Sequence, residues 1–322
     1  MTETIKNTTS KTENIKVLDA TVRDGGLCNS FAFTDAFVKA LYQANLRCGV
    51  DYMELGYRAS RRLFPEAEFG KWNYCHEDDL FAVIGENNTA LKLAVMADVG
   101  RCDYKADFGK KGDSIIDTVR VACYADQIPE AADMIEHLHT LGYETTCNVM
   151  AISTASQKAL ENGLTILRET PVDVIYPVDS YGALYPTDVR RLTEQFLAAT
   201  EGTDKRIGFH GHNNLGLALA NTLEALACGA RFVDATVGSL GRGAGNCAMD
   251  LLLNALKNPK YTKEELLPFV ENHLLPLKDE VAWGGDLAYM LTGLFNKHPK
   301  AAIEFIGQQR RDYLAFYHEM QQ

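Results

Sequence analysis

The sequence predicts an α/β fold in which eight parallel strands close into a (β/α)8 barrel of the TIM type, followed by a C-terminal helical extension. Short, nearly continuous apolar runs recur eight times, and segments of helical periodicity separate them. Such runs are typical of strands that are buried on both faces of a parallel sheet. Their number favours a closed barrel over an open doubly wound sheet. The open sheet is the weaker alternative, because no early strand leads into a Gly-x-Gly-x-x-Gly pattern.

Strands and helices alternate along the first four fifths of the chain. We expect the strands at residues 15–22, 50–55, 91–97, 118–123, 143–150, 172–178, 206–210 and 231–237. Helices are expected between them at residues 34–48, 77–84, 129–141, 155–169, 186–200 and 215–228. Thr34 is a typical N-cap, Pro129 suits a first helical turn, and Gly142 and Gly229 are typical helix ends. Residues 58–75 are irregular and aromatic-rich, which favours a functional loop over a site.

The chain divides by composition into three parts. Residues 1–14 are polar and are expected to form a disordered tail. Residues 15–258 would form the catalytic barrel. Residues 259–322 would form a helical extension that packs against the barrel, covers its site or forms a homodimer.

Charge and cysteine content narrow the class of partner. The formal net charge of −11 disfavours nucleic acid and anionic membranes as partners, since both need clustered cations. No apolar run is long enough to span a bilayer, and the first residues lack an apolar signal core. The eight cysteines contain no Cys-x-x-Cys pair, which indicates reduced thiols. We therefore expect a cytoplasmic protein that acts on a small molecule.

Residues with metal-ligand chemistry lie near the ends of three predicted strands. His210 and His212 close strand seven, and their spacing puts both imidazoles on one face. Asp24 follows strand one, and Asn246 lies in the glycine-rich loop 238–246 after strand eight. These strands are neighbours in a closed barrel, whose active sites lie at the C-terminal strand ends. The four side chains are therefore predicted to converge on one divalent ion.

The mixed nitrogen and oxygen donors favour Mn²⁺ or Mg²⁺, with Co²⁺ or Zn²⁺ as alternatives. Two other interpretations stay open. His210 and His212 would contact nothing in common if they lay in a solvated loop. The glycine-rich loop would hold a phosphate group if it worked as loops in this part of the fold often do.

Three motifs resemble the signatures of the DRE-TIM metallolyase (HMGL-like) superfamily. They are Leu-Asp-Ala-Thr-Val-Arg-Asp-Gly-Gly at residues 18–26, His-Gly-His-Asn at 210–213 and Gly-Arg-Gly-Ala-Gly-Asn at 241–246. The family includes 4-hydroxy-2-oxoacid aldolases, HMG-CoA lyase and acetyl-CoA-using synthases. The region 210–246 is most similar to the 4-hydroxy-2-oxovalerate aldolases.

The resemblance implies a site and a reaction. Asp24, His210 and His212 would bind a divalent metal, with Asn246 as a further ligand. Arg23 would hold an enolate oxygen, and Ser180 would lie near the carboxylate of a 2-oxoacid. The reaction would be metal-dependent aldol cleavage of a 4-hydroxy-2-oxoacid, through a pyruvate-type enolate, to a 2-oxoacid and an aldehyde. An aldehyde dehydrogenase docks onto the aldolases of this family, but the sequence does not show such a partner.

Three positions depart from the best-known subgroups. Leu27 stands where the aldolases carry a histidine base, and Val237 stands where HMG-CoA lyase carries a cysteine. Gly26 stands where the synthases place Glu or Gln. Two alternatives to an aldolase therefore stay open: a Claisen-type acyltransferase that condenses an acyl-CoA with a 2-oxoacid, and a metal-binding barrel without turnover.

Other residues are then needed as the acid/base group. Glu54, at the end of strand two, is a candidate base, or else a group that orients Arg23 or a ligand histidine. Tyr289 lies where the aldolases bring a C-terminal tyrosine near the site, and Tyr57 is a further candidate. His298 is isolated in the sequence and is expected to be structural.

Overall fold

The structure, a computed structural model, describes residues 14–322. Its eight parallel strands form a closed barrel in sequence order, in which the last strand pairs with the first. The strands are β1 Lys16–Asp19, β2 Tyr52–Tyr57, β3 Lys92–Asp98, β4 Thr118–Cys123, β5 Glu144–Val149, β6 Val174–Asp179, β7 Arg206–Gly211 and β8 Phe232–Ala235. The predicted fold class is confirmed. The expectation of a disordered tail lies outside the described residues, except for Asn14.

Helices cover the outside of the barrel and continue beyond it. Those up to the end of the barrel are α1 Thr21–Asn29, α2 Asp35–Cys48, α3 Glu77–Ile84, α4 Ile128–Thr140, α5 Gln157–Glu169, α6 Pro186–Ala199, α7 Ala218–Cys228 and α8 Met249–Leu256. The extension contains α9 Leu267–Phe269, a π-helical turn Val270–Leu274, α10 Leu275–Glu280, α11 Leu287–Leu294, α12 Lys300–Gly307 and α13 Tyr313–Gln321. Short 3-10 turns lie at Lys71–Asn73, Lys111–Asp113, Ala125–Gln127, Ile152–Thr154, Val237–Ser239 and Lys263–Leu266.

Side-chain alternation along β3 explains how the strands serve both the core and the site. Leu93, Val95 and Ala97 are buried in the main hydrophobic core between barrel and helices. Met96 and Asp98 lie on the opposite face and line the cavity at the barrel mouth. Because successive strand residues point to opposite faces, a nearly continuous apolar run can still end in a polar group inside the barrel.

The first strand is shorter than predicted. It ends at Asp19, and the helix α1 begins at Thr21, whereas the sequence suggested a strand as far as residue 22. The buried Asp19 carboxylate accepts a 2.9 Å hydrogen bond from the Thr21 backbone N–H, which turns the chain. Gly26 is needed in this helix because a Cβ there would lie 2.1 Å from the Phe31 ring. Arg23 and Asp24 thus project from a helix.

The aromatic-rich segment 58–75 packs beside the barrel and does not line the cavity. Trp72 is fully buried, and its indole N–H donates a 2.9 Å hydrogen bond to the Phe33 carbonyl. Arg58 donates to Glu77 at 2.7 Å. The prediction that residues 58–75 form a loop over the site is therefore wrong for the described cavity, whose walls come from other segments.

The C-terminal helices form a second, small core. It contains Tyr289, Leu291, Phe305 and Phe316, and it reaches Ala244 in the glycine-rich loop. The extension therefore packs on the loop that follows β8. Among residues 14–322, no helix combines the length and apolar character that a bilayer span requires. All eight cysteines are free thiols.

Candidate metal centre and active site

Asp24, His210 and His212 converge at the C-terminal mouth of the barrel, as predicted. One donor atom from each lies within 4.8 Å of the others. His210 Nε2 is 3.1 Å from Asp24 Oδ2, and His212 Nε2 is 3.7 Å from Asp24 Oδ1. Asp24 is fully buried, and His210 is only 3% exposed. Two imidazole nitrogens and a carboxylate are a donor set that suits a divalent cation.

The unpartnered atoms of this cluster support the fit to a cation. Within the described chain, Asp24 Oδ1 and His210 Nε2 are buried without a hydrogen-bond partner. Asn246 Oδ1 is likewise buried without a partner among these residues, although the Asn246 Nδ2 donates to the Leu240 carbonyl at 3.1 Å. A backbone bridge holds Asn246 beside His212. Buried polar atoms are costly without partners, and a bound ion would satisfy these oxygen and nitrogen lone pairs.

Hydrogen bonds on the far side of each ring orient the two imidazoles. His212 Nδ1 lies 3.0 Å from the Asp179 carbonyl, which can only accept, so Nδ1 carries the proton and Nε2 keeps its lone pair. His210 Nδ1 lies 2.9 Å from Asp234 Oδ2. Burial opposes ionisation of Asp234, but Arg120 and His210 together outweigh it and hold the pKa of this carboxyl below its usual value. Both rings therefore present Nε2 towards Asp24, the arrangement common at metal sites.

A ring of buried charges surrounds the candidate ligands. Arg23 donates from Nη1 to Asp24 Oδ2 at 2.9 Å and from Nε to Glu54 Oε2 at 2.8 Å. Arg120 donates to the same Glu54 oxygen at 2.8 Å and also to Asp234. Burial opposes the charge on Asp24, yet Arg23 and the two imidazoles hold the pKa of Asp24 well below its ordinary value. Such a buried network holds only if every charge is paired, so it fixes the geometry around Arg23.

Glu54 lies beneath the cavity, and its geometry suits one of the two roles that the sequence left open. One carboxylate oxygen accepts from both Arg23 and Arg120, and the other is buried without a partner. The residue is fully buried and is not among those that line the cavity. This placement suits a group that orients Arg23 better than a base that contacts substrate.

A cavity of about 490 Å³ opens above the ligands and has room for a small molecule. The strand ends and the loops after them contribute polar side chains to its walls: Arg23, Asp24, Tyr57, Asp98, Arg101, Asn148, Ser180, His210, His212, Arg242 and His298. Ser180 lines this cavity, and its Oγ accepts a 2.8 Å hydrogen bond from the Ala151 N–H. Its hydroxyl proton is left to donate into the cavity.

Tyr289 and His298 take different places relative to the cavity. Tyr289 is 8% exposed and packs under the glycine-rich loop, where a Cβ on Gly243 would lie 2.4 Å from its ring. It does not line the cavity. His298, expected to be structural, forms part of the cavity wall, with its ring centre 5.6 Å from that of Tyr181.

Sequence reasoning missed Asp98, Asn148, Arg101 and Arg242 as residues of the cavity wall. Asp98 and Asn148 lie at the C-terminal ends of β3 and β5. The signal available was a polar residue at the end of an apolar strand, which in this fold marks the active-site face. Arg120 was hidden within the fourth apolar run, although it is fully buried and bridges two carboxylates.

A (β/α)8 barrel with an Asp-His-His cluster and a buried arginine at its mouth defines a lyase of the DRE-TIM type. Comparison with known proteins agrees. The chain belongs to the HMGL-like family, whose model matches residues 14–267.

Named relatives of the chain include two kinds of carbon–carbon lyase. The chain is 31% identical over 245 residues to an oxaloacetate decarboxylase of Mycobacterium tuberculosis, covering 75% of this chain and 69% of the relative. It is 31% identical over 251 residues to a 4-hydroxy-2-oxovalerate aldolase of Pelotomaculum thermopropionicum, covering 77% and 71%. A crystal structure of the N-terminal domain of a candidate aldolase from Bacteroides vulgatus superposes with a TM-score of 0.76 at 29% identity, covering 91% and 96%.

Proposed function

We propose that the protein is a divalent-metal-dependent aldolase that cleaves a 4-hydroxy-2-oxoacid, through a pyruvate-type enolate, to a 2-oxoacid and an aldehyde. The observation that carries the proposal is that Arg23 and the three candidate ligands line one wall of the same small cavity. The Arg23 cation and a metal ion held by the cluster would both stabilise the negative charge on an enolate oxygen bound between them.

The residues of the chain would divide the work as follows. Asp24, His210 and His212, with Asn246, would hold Mn²⁺ or Mg²⁺, which when bound supplies Lewis-acid stabilisation of negative charge on substrate oxygen. Arg23 remains cationic at any relevant pH, and its side chain is 7% exposed, so its charge acts in a dry environment. Arg23 would donate to the oxygen on which the enolate charge develops. The Ser180 hydroxyl would donate to the substrate carboxylate.

A second candidate, decarboxylation of a 2-oxo dicarboxylic acid, has support of its own. Leu27 lines the cavity, at the position of the histidine base in the aldolases that the first motif resembles. Loss of CO₂ from the carbon that adjoins the 2-oxo carbon passes through the same enolate and removes no hydroxyl proton, so it needs no such base. One relative of the chain is named for this reaction.

Four assays separate these functions. The Mn²⁺-loaded protein is mixed with 4-hydroxy-2-oxovalerate, with oxaloacetate, and with pyruvate in D₂O. Pyruvate release and methyl proton exchange are followed by NMR. We expect metal-dependent cleavage and metal-dependent exchange. Thiol release from acetyl-CoA in the presence of a 2-oxoacid, without exchange, would indicate the acyltransferase instead. Absence of every activity in a protein that binds Mn²⁺ would indicate the barrel without turnover.

The variant Arg23→Lys tests the proposed role of Arg23, because lysine keeps the positive charge but cannot donate hydrogen bonds in the bidentate geometry of arginine. Loss of one positioned donor to a developing oxyanion typically lowers kcat by about 10²–10³-fold. We expect a loss of this order with metal affinity retained. A matched control is Arg311→Lys, because Arg311 is exposed in the C-terminal extension.

A further inference from the structure

We propose that Asp98 is the acid/base group of this site, which accepts the proton of the substrate's C4 hydroxyl as the C3–C4 bond breaks. The inference rests on the proposed aldolase function and assigns the role that the missing histidine leaves open.

The first support is position. Asp98 is the last residue of β3, and with Met96 it lines the same cavity as Arg23 and Asp24. It comes from the third strand, whereas Arg23 follows the first. Asp98 therefore stands on a different part of the wall from the group that would hold the enolate. The hydroxyl-bearing carbon lies two bonds from the 2-oxo carbon, so its base has to approach from such a separate position.

The second support is an unused acceptor. Asp98 is 8% exposed, and within the described chain its Oδ1 is buried without a hydrogen-bond partner. Its other oxygen lies 3.8 Å from Arg101 Nη1, and that arginine side chain is 62% exposed. A buried carboxylate oxygen without a partner is costly, so such an atom at a cavity wall indicates a bound group that supplies the missing donor. A substrate hydroxyl is such a donor.

The electrostatic surroundings suit a base that works near neutral pH. Burial raises the pKa of Asp98 to about 6, although Arg101 and Arg23 oppose the shift. The charged and titratable groups that face it are Arg101 and Cys102 from the following loop, Arg23 from α1, and Glu54 and Tyr57 from β2. Asp98 is then ionised at pH 7 while remaining more basic than an ordinary aspartate, which favours proton transfer.

The other candidates on or near the cavity wall suit the role less well. His298 Nδ1 accepts a 3.0 Å hydrogen bond from the Lys300 N–H, so the neutral ring keeps its proton on Nε2 and can only donate there. Burial raises the pKa of the Tyr57 phenol above its usual value, which keeps it a donor as well. Glu54 accepts from two arginines.

The proposed step balances without a co-reactant. The Asp98 carboxylate takes the hydroxyl proton, and O4 becomes the carbonyl oxygen of the departing aldehyde. The electron pair of the C3–C4 bond forms the C2–C3 double bond of the enolate, and its negative charge rests on the C2 oxygen near Arg23. The enolate then takes a proton from water at C3, and Asp98 returns its proton to solvent.

The test compares two reactions that share the enolate but differ in the hydroxyl. Asp98→Asn and a surface control, Asp133→Asn on α4, are assayed for cleavage of 4-hydroxy-2-oxovalerate and for decarboxylation of oxaloacetate. General base catalysis contributes about 10²–10⁴-fold. We therefore expect Asp98→Asn to lower cleavage by at least about 10²-fold and to lower decarboxylation much less. The control should stay within about twofold of wild type in both, because exposed substitutions rarely matter.

Outcomes of this comparison separate the two proposals. Wild-type protein that cleaves no hydroxy acid overturns the proposed aldolase, whatever the variant does. Wild-type cleavage with equal losses of both activities in Asp98→Asn overturns the assignment of Asp98 alone, as does unchanged cleavage. A second variant, Asp98→Ala, is assayed with added formate. Recovery of cleavage supports a proton-transfer role, which a structural role would not produce, and failure of formate to restore any activity counts against it.

Discussion

His210 and Asp234 lie 2.9 Å apart, measured from the imidazole Nδ1 to the carboxylate Oδ2. Asp234 also pairs with Arg120, which in turn pairs with Glu54. The orientation of a candidate metal ligand therefore depends on a charged network that runs through the interior of the barrel.

Asp234→Asn is expected to weaken Mn²⁺ binding. The amide is a weaker acceptor for the His210 Nδ1–H and cannot balance Arg120, so the ring is oriented less firmly. Loss of such a partner typically costs about 10–100-fold in metal affinity. Titration followed by electron paramagnetic resonance measures it, with Asp279→Asn on the exposed surface of α10 as the control. Unchanged affinity would show that this hydrogen bond does not orient the ring.

His212→Ala is expected to abolish metal uptake while the fold is retained. The His212 side chain is 16% exposed and, among residues 14–322, makes one hydrogen bond, to a backbone carbonyl. Its loss should therefore disturb the barrel little while removing one of three clustered donors. Metal content after dialysis, together with circular dichroism, decides the matter, and His139→Ala on the exposed face of α4 is the control. Full metal content in the variant would remove His212 from the ligand set.

Glu54→Gln is expected to lower the free energy of unfolding by about 3–5 kcal/mol, since it leaves two buried arginines without their shared carboxylate. Both arginines lie 2.8 Å from the same Glu54 oxygen. Urea denaturation measures the loss. The control is Glu265→Gln, which breaks a surface pair with Arg47 and should cost at most about 1 kcal/mol. Equal small losses in the two variants would mean that the network contributes little stability.

Asp98→Asn is expected to change the pH dependence of stability. The pKa of Asp98 is about 6 in the folded chain against an ordinary value of 3.8. Between these values the unfolded chain ionises and the folded one does not, so wild-type stability falls as pH rises from 4 to 6.5. One pKa unit corresponds to about 1.4 kcal/mol, so Asp98 accounts for up to about 3 kcal/mol of this fall.

The Asp98→Asn variant lacks the pH-dependent contribution that the Asp98 carboxyl makes to stability. Its unfolding free energy relative to wild type should therefore rise by up to about 3 kcal/mol over the same interval, as measured by urea denaturation at a series of pH values. A difference that stays constant from pH 4 to 7 would contradict the raised pKa. Asp133→Asn again serves as the control, because Asp133 is exposed on α4.

The barrel and its metal-type cluster could be predicted because both rest on simple patterns. Eight apolar runs with helical segments between them specify strand order, and the closed sheet follows that order. Since the C-terminal ends of parallel strands meet at one rim, Asp24, His210 and His212 could be placed together despite their separation in sequence. Tyr289 does not follow a barrel strand, so this pattern could not place it, and its part in the reaction remains a prediction.

Other features could not be predicted because they depend on side chains that meet only across the barrel. The pairing of Arg120 with Glu54 and Asp234 joins strands four, two and eight, and no local signal marks it. The end of β1 depends on the hydrogen bonds that the Asp19 carboxylate accepts from Thr21 and from the distant Asn45. The raised pKa of Asp98 depends on burial by neighbours far away in the sequence.

The sequence by itself determined the order of strands and helices and the residue types available at each strand end, since periodicity and glycine placement are local properties. Only the tertiary structure decided which of those side chains share a cavity and which are buried in ion pairs. Closure of the barrel sets distances between residues that are hundreds of positions apart, and burial then sets which charges need a partner. That is why Glu54 lies behind Arg23 while Asp98 faces the cavity.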